Sequence, residues 1–250
     1  MMTIKKIILN ALFYIAFIPA TIGAVLLFTP WVVFGRLFSY REAMRRLRLA
    51  IRWYGRMMIW GLPQPFLKVR YLDKASEVDV PKPCIVICNH RSSSDPFLMA
   101  CFSFEAIQIV NIWPFKIPLL GFVARLAGYL SVRELPFEVF SQHCEKLLDE
   151  GVSIIVFPEG TRSGVNAMGQ FRGAMFRIAL TKKIPIVPLC IAGNEDKPTR
   201  GSFWMNPGTV LLHRLPAVPY EQFKDFGPFK LKNYIRDMIE RETKLMDAEI

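Results

Sequence analysis

Histidine is scarce in this chain and cysteine is scattered. There are three histidines, His90, His143 and His213, and five cysteines, Cys84, Cys88, Cys101, Cys144 and Cys190. No CxxC pair occurs, and no His, Cys and acidic residues gather at the spacing of a metal site, so no metal is expected. Cysteines lying mostly in apolar segments predict buried, reduced thiols. There is no GxSxG elbow, which argues against a serine hydrolase. Neither a Walker A nor a GxGxxG pattern is present, which leaves nucleotide binding unsupported. Internal repeats and low-complexity tracts are also absent. Acidic residues are few, 21 against 32 basic, for a net charge of +11. That balance favours acidic partners: anionic headgroups, acidic carrier proteins or nucleic acid. A hydrophobic content of 52% and a mean hydropathy of +0.27 point to membrane contact. Together with the basicity they favour a lipid surface over nucleic acid.

The clearest apolar segment, 7–35, contains no charged residue. At about 1.5 Å rise per residue it is long enough for a bilayer core of about 30 Å. Pro19 and Pro30 interrupt it and leave two forms open, a kinked span or a helix that enters and bends back. The segment is too long for an ordinary signal-peptide core and no small-x-small cleavage site follows, so a retained anchor is expected. Next come Arg36, Arg41, Arg45, Arg46, Arg48, Arg52 and Arg56, with Met44, Leu47, Ile51, Tyr54 and Met58 at helical spacing on the opposite side. This predicts a basic amphipathic helix suited to the lipid interface, with the alternative of a helix packed on its own domain. Arginine density after the apolar segment places that flank in the cytoplasm.

Trp60 to Pro65 reads as a linker, which divides the chain into 1–62, an anchor with its basic helix, and 63–250, a catalytic domain. Candidate strands are 66–71, 84–88, 107–110, 129–132, 153–157, 186–190 and 209–213. Candidate helices are 96–104, 119–127, 136–150, 171–181 and 220–247. Their alternation predicts an α/β fold, a central mostly parallel sheet flanked by helices, with an N-terminal membrane-associated helical segment. Ligands in such sheets gather beyond the carboxyl ends of the strands.

Two polar motifs sit at such ends. Asn89-His90-Arg91-Ser92-Ser93-Ser94-Asp95 follows one apolar run. Ser92, Ser93 and Ser94 are N-cap candidates and Pro96 suits a first helical turn. A histidine whose second ring nitrogen is held by a carboxylate can take a proton from an alcohol. Phe157-Pro158-Glu159-Gly160-Thr161-Arg162-Ser163 follows another run. Arg162 offers a planar fork for phosphate or carboxylate, Gly160 permits close backbone approach, and Glu159 can accept hydrogen bonds from hydroxyls. The alternative is a surface turn with an Arg–Glu pair.

The His90/Asp95 motif followed by residues 157–163 resembles the NHxxxxD glycerolipid acyltransferases, the lysophosphatidate (1-acylglycerol-3-phosphate) acyltransferase family. The resemblance runs from about Val69 to Ile191 and includes Phe115-Lys116-Ile117-Pro118, Gly121 and the run Ile184-Pro185-Ile186-Val187-Pro188-Leu189. It implies acyl transfer from a thioester to a lipid hydroxyl without a covalent acyl-enzyme, with membrane lipids as partners and acyl-carrier protein or acyl-CoA as donor. It implies no cofactor. His90 would be the general base and Asp95 its partner. Glu159, Gly160, Thr161 and Arg162 would bind the acceptor headgroup, with Arg133 and Lys116 as further cations. The chain departs from the family at three places. Asn111 and Ile112 stand where a lysine is common, Glu134 stands where a basic residue is usual one place after Arg133, and Phe171-Arg172-Gly173 is one residue short. These departures bear on the headgroup and leave two alternatives, another lysolipid such as a lyso-aminolipid, or a non-catalytic lipid-binding protein of the same fold. The expected location is the cytoplasmic face of a membrane, the inner membrane of a bacterium.

Overall fold

The computed structural model describes residues 3–75, 80–111, 116, 120–131, 133–163 and 168–250. Of the residues singled out above, Ile112, Phe115, Ile117, Pro118 and Val132 lie outside that set. Packing divides the chain into two compact units that do not follow chain order. The first comprises Met1–Arg70, Ser92–Glu105 and Gly193–Val210, and the second Tyr71–Arg91, Ala106–Ala192 and Leu211–Ile250.

The first unit is built on two long helices. Helix α1, Ile4–Arg36, is a single unbroken helix with Pro19 and Pro30 inside it. Its best window has a mean hydropathy of 2.3 and none of that window is buried. Three residues later Ser39 caps α2, Tyr40–Arg56, by accepting from the N–H of Glu42 at 3.0 Å. The two helices pack antiparallel. The Thr21 and Tyr54 hydroxyls are 2.9 Å apart. Arg46 reaches back to the Trp31 carbonyl at 3.1 Å and lies 5.5 Å from the Trp31 and Phe34 ring centres. A Cβ on Gly35 would sit 2.7 Å from Arg46 Cδ, so glycine allows that approach.

The arginines of α2 therefore do two jobs. Arg41 and Arg48 both bind Glu105, at 3.0 and 2.6 Å, while Arg52 donates to the Ser103 carbonyl and Arg46 faces α1. Arg36, Arg45 and Arg56 remain exposed. Asn10, the one strongly polar residue in the first half of the apolar stretch, is buried. It donates to the Met205 carbonyl at 2.8 Å and accepts from the Met205 N–H at 2.9 Å, which satisfies it fully in that direction. Tyr14 donates to the Phe203 carbonyl beside it. Phe203 itself is 83% exposed.

A six-stranded sheet has the order β1-β6-β5-β2-β4-β3. The strands are β1 Leu67–Asp73, β2 Ile85–Cys88, β3 Ala106–Ile109, β4 Ser153–Val156, β5 Ile186–Ala192 and β6 Gly208–Arg214. β2 runs parallel to β4 and β5, β3 runs parallel to β4, and β6 is antiparallel to β5. Every residue of β2, β4 and β5 is buried, as expected for parallel strands covered on both faces. In the second unit α5, Phe137–Asp149, packs on β4, and α7, Pro228–Asp247, packs on β5. α7 turns Leu231, Ile235, Ile239 and Met246 inward at helical spacing.

Several predicted elements are shorter than their apolar pattern. The helix expected over 96–104 is α3, Asp95–Leu98, followed by a 3-10 turn, Met99–Cys101. The helix expected over 220–247 is broken by Pro228 into a 3-10 turn, Tyr220–Gln222, and α7. The strand expected at 129–132 is a single bridge from Leu130 to Ile109. Helices α4, Leu120–Leu126, and α6, Ala174–Lys182, complete the fold. All five cysteines are free and all but Cys101 are fully buried. Burial pushes the Cys84 thiol up to about 11 and Cys144 up to about 12.

Candidate active site

Strand pairing brings the two motifs together. The parallel register sets Ile87 against Val156. Continued to the strand ends, it sets His90 opposite Glu159. The Glu159 carboxylate accepts the His90 N–H at 2.8 Å through Oε1. On the other side of the same residue, the His90 carbonyl accepts the Ser163 N–H at 2.8 Å and the Ser163 hydroxyl at 3.3 Å. His90 is thus gripped fore and aft by the first and last polar residues of the second motif. Its ring rests on Phe157 with centres 4.6 Å apart. The ring stays partly exposed, as a group that must meet a substrate requires.

Asn89 performs the same task toward the other neighbour of β2. Its side-chain oxygen accepts the Ile191 N–H at 2.8 Å and its amide donates to the Ile191 carbonyl at 2.9 Å. A side chain here imitates a strand, continuing the β2–β5 ladder where β2 has ended. Arg91 is buried and forms a two-pronged pair with Asp247 at the end of α7, at 2.8 and 2.6 Å.

Asp95 lies in the first unit at the start of α3, with no solvent exposure. Its Oδ2 accepts the Ser92 N–H at 2.7 Å and its Oδ1 accepts from the Asn194 side-chain amide at 2.6 Å. Asn194 also donates to the Ser94 hydroxyl at 2.9 Å. Ser94 precedes α3 without capping it, because its hydroxyl goes to the Lys197 carbonyl instead. The serines expected as helix caps thus tie the motif to the loop that follows β5. Asn194 has no counterpart in the expected site. Its signal was only its place in a polar loop beyond a strand end.

The second motif forms a tight turn, closed by the Gly160 N–H donating to the Phe157 carbonyl at 3.1 Å. Gly160 has φ +66°, in the left-handed region that glycine adopts without strain. Glu159 is 5% exposed, and its second oxygen accepts the Gly169 N–H at 2.7 Å. Both carboxylate oxygens therefore serve backbone donors, and the Arg–Glu surface pair is not formed. Thr161 is exposed and Arg162 is partly exposed. Lys116 and Arg133 are both exposed, and among the described residues no hydrogen bond or ion pair joins either to the turn. Arg125, on α4, pairs with Glu134 at 2.8 Å. Among the described residues no three His, Cys, Asp or Glu side chains could hold a metal ion.

A family model described as Acyltransferase matches residues 68–192, half of the chain. The chain belongs to the acyltransferase family. It is 25% identical over 181 residues to a 1-acyl-sn-glycerol-3-phosphate acyltransferase of Pseudomonas aeruginosa, covering 70% of this chain and 69% of that one. It is 29% identical over 162 residues to the chloroplastic 1-acyl-sn-glycerol-3-phosphate acyltransferase BAT2 of Brassica napus, covering 60% of this chain. This chain spans just over two thirds of the bacterial relative and 45% of the Brassica one. In fold it matches the crystal structure of the 1-acyl-sn-glycerophosphate acyltransferase PlsC from Thermotoga maritima, with a TM-score of 0.78 and 24% identity, over 98% of this chain and 97% of that one. The acyltransferase match ends at Ala192 and starts at Lys68, so it takes in both motifs and the β2–β4 pairing that joins them. Membership in this family makes the chain an enzyme, and α1 is long and apolar enough for membrane association.

Proposed function

We propose that this acyltransferase moves a fatty acyl group from a thioester to the free hydroxyl of 1-acylglycerol-3-phosphate. The observation that carries the reading is the grip of Glu159 and Ser163 on the backbone of His90. It fixes an imidazole beside a turn bearing Arg162. In lysophosphatidate the free hydroxyl is on the carbon next to the one that bears the phosphate ester. An anion held at the turn therefore presents its own hydroxyl to a nearby base.

His90 removes the hydroxyl proton as the oxygen attacks the thioester carbonyl. The tetrahedral intermediate collapses, breaking the carbon–sulfur bond, and the imidazolium returns the proton to the departing thiolate. Asp95 is the partner that stabilises the imidazolium, and general-base help of this kind is worth about 10²–10⁴ in rate. The donor is an acyl thioester of acyl-carrier protein or coenzyme A, and no other cofactor takes part. Glu159 works through the backbone of His90, and the acceptor phosphate falls to Arg162.

The two long helices of the first unit serve the membrane. α1 is held along its length, by Met205 at Asn10, by Tyr54 at Thr21 and by Arg46 at Trp31. Carrying α1 across the bilayer would draw the charged α2 into hydrocarbon, at several kcal/mol for each central arginine. A helix seated in one leaflet, on the cytoplasmic face, meets the constraint. Residues 1–62 then act as the anchor and 63–250 as the catalytic part.

The test is a matrix of acyl-CoA and acyl-carrier-protein donors against lysophosphatidate and lyso-aminolipid acceptors, using purified protein in lipid. Release of free thiol with lysophosphatidate supports the reading. Acylation of the aminolipid alone, or lysolipid binding without thiol release, overturns it.

A further inference from the structure

Arg172 stands ten residues beyond Arg162, in the Phe-Arg-Gly segment that precedes α6. Its backbone N–H donates to the Pro158 carbonyl at 2.8 Å, which pins it to the turn. Its guanidinium lies flat against Gly160. A Cβ added there would sit 2.7 Å from Nε, 2.9 Å from Cζ and 3.1 Å from Nη2. Gly160 suits the turn by its φ and leaves room for the guanidinium that covers it.

Among the described residues, no hydrogen bond or ion pair joins these arginines to a carboxylate of the turn. Glu159 is its only carboxylate, and both of its oxygens accept backbone N–H groups. Among the described residues, neither Arg162 nor Arg172 has an ion-pair or hydrogen-bond partner for its side chain. Elsewhere in the same unit arginines are matched, Arg91 with Asp247, Arg214 with Asp73 and Arg236 with Glu240. Two guanidiniums carried by this short turn and its neighbour, neither joined to a carboxylate, leave positive charge for an anion. A phosphate monoester can accept a planar fork from each.

We propose that Arg172 is a second cation of the acceptor site and binds the phosphate monoester together with Arg162. This rests on the reading of the turn as the acceptor headgroup site and adds to it the residue that suits it to a dianion.

The test uses the full chain in lipid and measures KM for lysophosphatidate, KM for the acyl thioester, and the inhibition constant of sn-glycerol 3-phosphate, a headgroup without a tail. Arg172→Ala is expected to raise the acceptor KM and the glycerol 3-phosphate constant by about ten- to a hundredfold, the range of one hydrogen bond to a charged group. The donor KM should stay unchanged, a split that a general loss of structure does not produce. Arg172→Lys should fall between, which keeps the test open if the alanine variant folds poorly. Acceptor and inhibitor constants within twofold of the parent in Arg172→Ala and Arg172→Lys would overturn the inference while leaving the activity in place. A parent enzyme that ignores lysophosphatidate and glycerol 3-phosphate overturns both this inference and the function on which it rests.

Discussion

At the scale of single residues, the site depends on acceptors that are already committed. Glu159 answers two backbone donors, one on His90 and one on Gly169. Glu159→Gln keeps one acceptor and turns an amide N–H₂ toward the other donor. The expected result is a loss of about 1–3 kcal/mol in stability, the penalty for one unsatisfied buried donor. Because the His90 backbone shifts, kcat should fall at least about tenfold with little change in acceptor KM. A Glu159 that instead touched substrate hydroxyls would raise KM, so steady-state kinetics beside thermal unfolding separates the roles. Asn194 is the corresponding support for Asp95. Asn194→Ala should lower both stability and kcat, and Asn194→Asp should do worse, since it sets a second carboxylate against a buried one. Equal activity in the parent and both variants would show that Asp95 needs no such support.

At the scale of elements, β2 and β4 explain why the site forms where it does, and α7 explains what holds it from behind. α7 contributes Asp247 to Arg91 and Glu242 to a buried cluster, where Glu242 meets His213 at 2.5 Å and Lys74 at 2.7 Å. Burial alone would raise the Glu242 carboxyl, but the bonds from His213 and Lys74 outweigh it and hold the group below the ordinary carboxylate range. A lowered folded value means stability that is present above the unfolded pKa and lost as pH falls through the folded one. The melting temperature should therefore drop on acidification below about pH 4.5, and Glu242→Gln should flatten that slope while lowering stability at neutral pH. An unchanged slope would remove the cluster from the acid response. The strands were the most legible elements because continuous apolar runs such as 84–88 and 153–157 admit little else. Helix ends were less legible. Pro228 starts α7 anew, and the short α3 depends on where Ser94 and Asp95 find partners, which lie about a hundred residues away in sequence. His90 and Arg162 could be named from their motifs. The contacts of Asn89, Asn194 and Arg172 could not, since each is defined by register or by a contact across the chain.

At the scale of the whole molecule, the apolar segment that composition pointed to forms one helix long and apolar enough to cross a membrane, and the arginine-rich stretch does form an amphipathic helix. What composition could not reveal is that several of its arginines serve the fold, as Arg46 and Arg48 do. That clasp bears on how the protein meets the bilayer. Cysteines introduced singly in place of Lys5 and Phe38, both exposed, should react with a membrane-impermeant maleimide from the same side of a vesicle. Labelling from opposite sides would mean that α1 crosses. The native thiols should interfere little, since Cys84, Cys88, Cys144 and Cys190 are buried and burial pushes the Cys101 thiol up to about 12.

The central claim is that the His90 imidazole, held by the second motif, activates the acceptor hydroxyl. The most direct measurement is the rate of thiol release from acyl thioester, with lysophosphatidate present, by parent and His90→Ala proteins of equal melting temperature. The account predicts a loss of at least about a hundredfold in the variant, with lysolipid binding retained. A variant turning over within a few fold of the parent would contradict it.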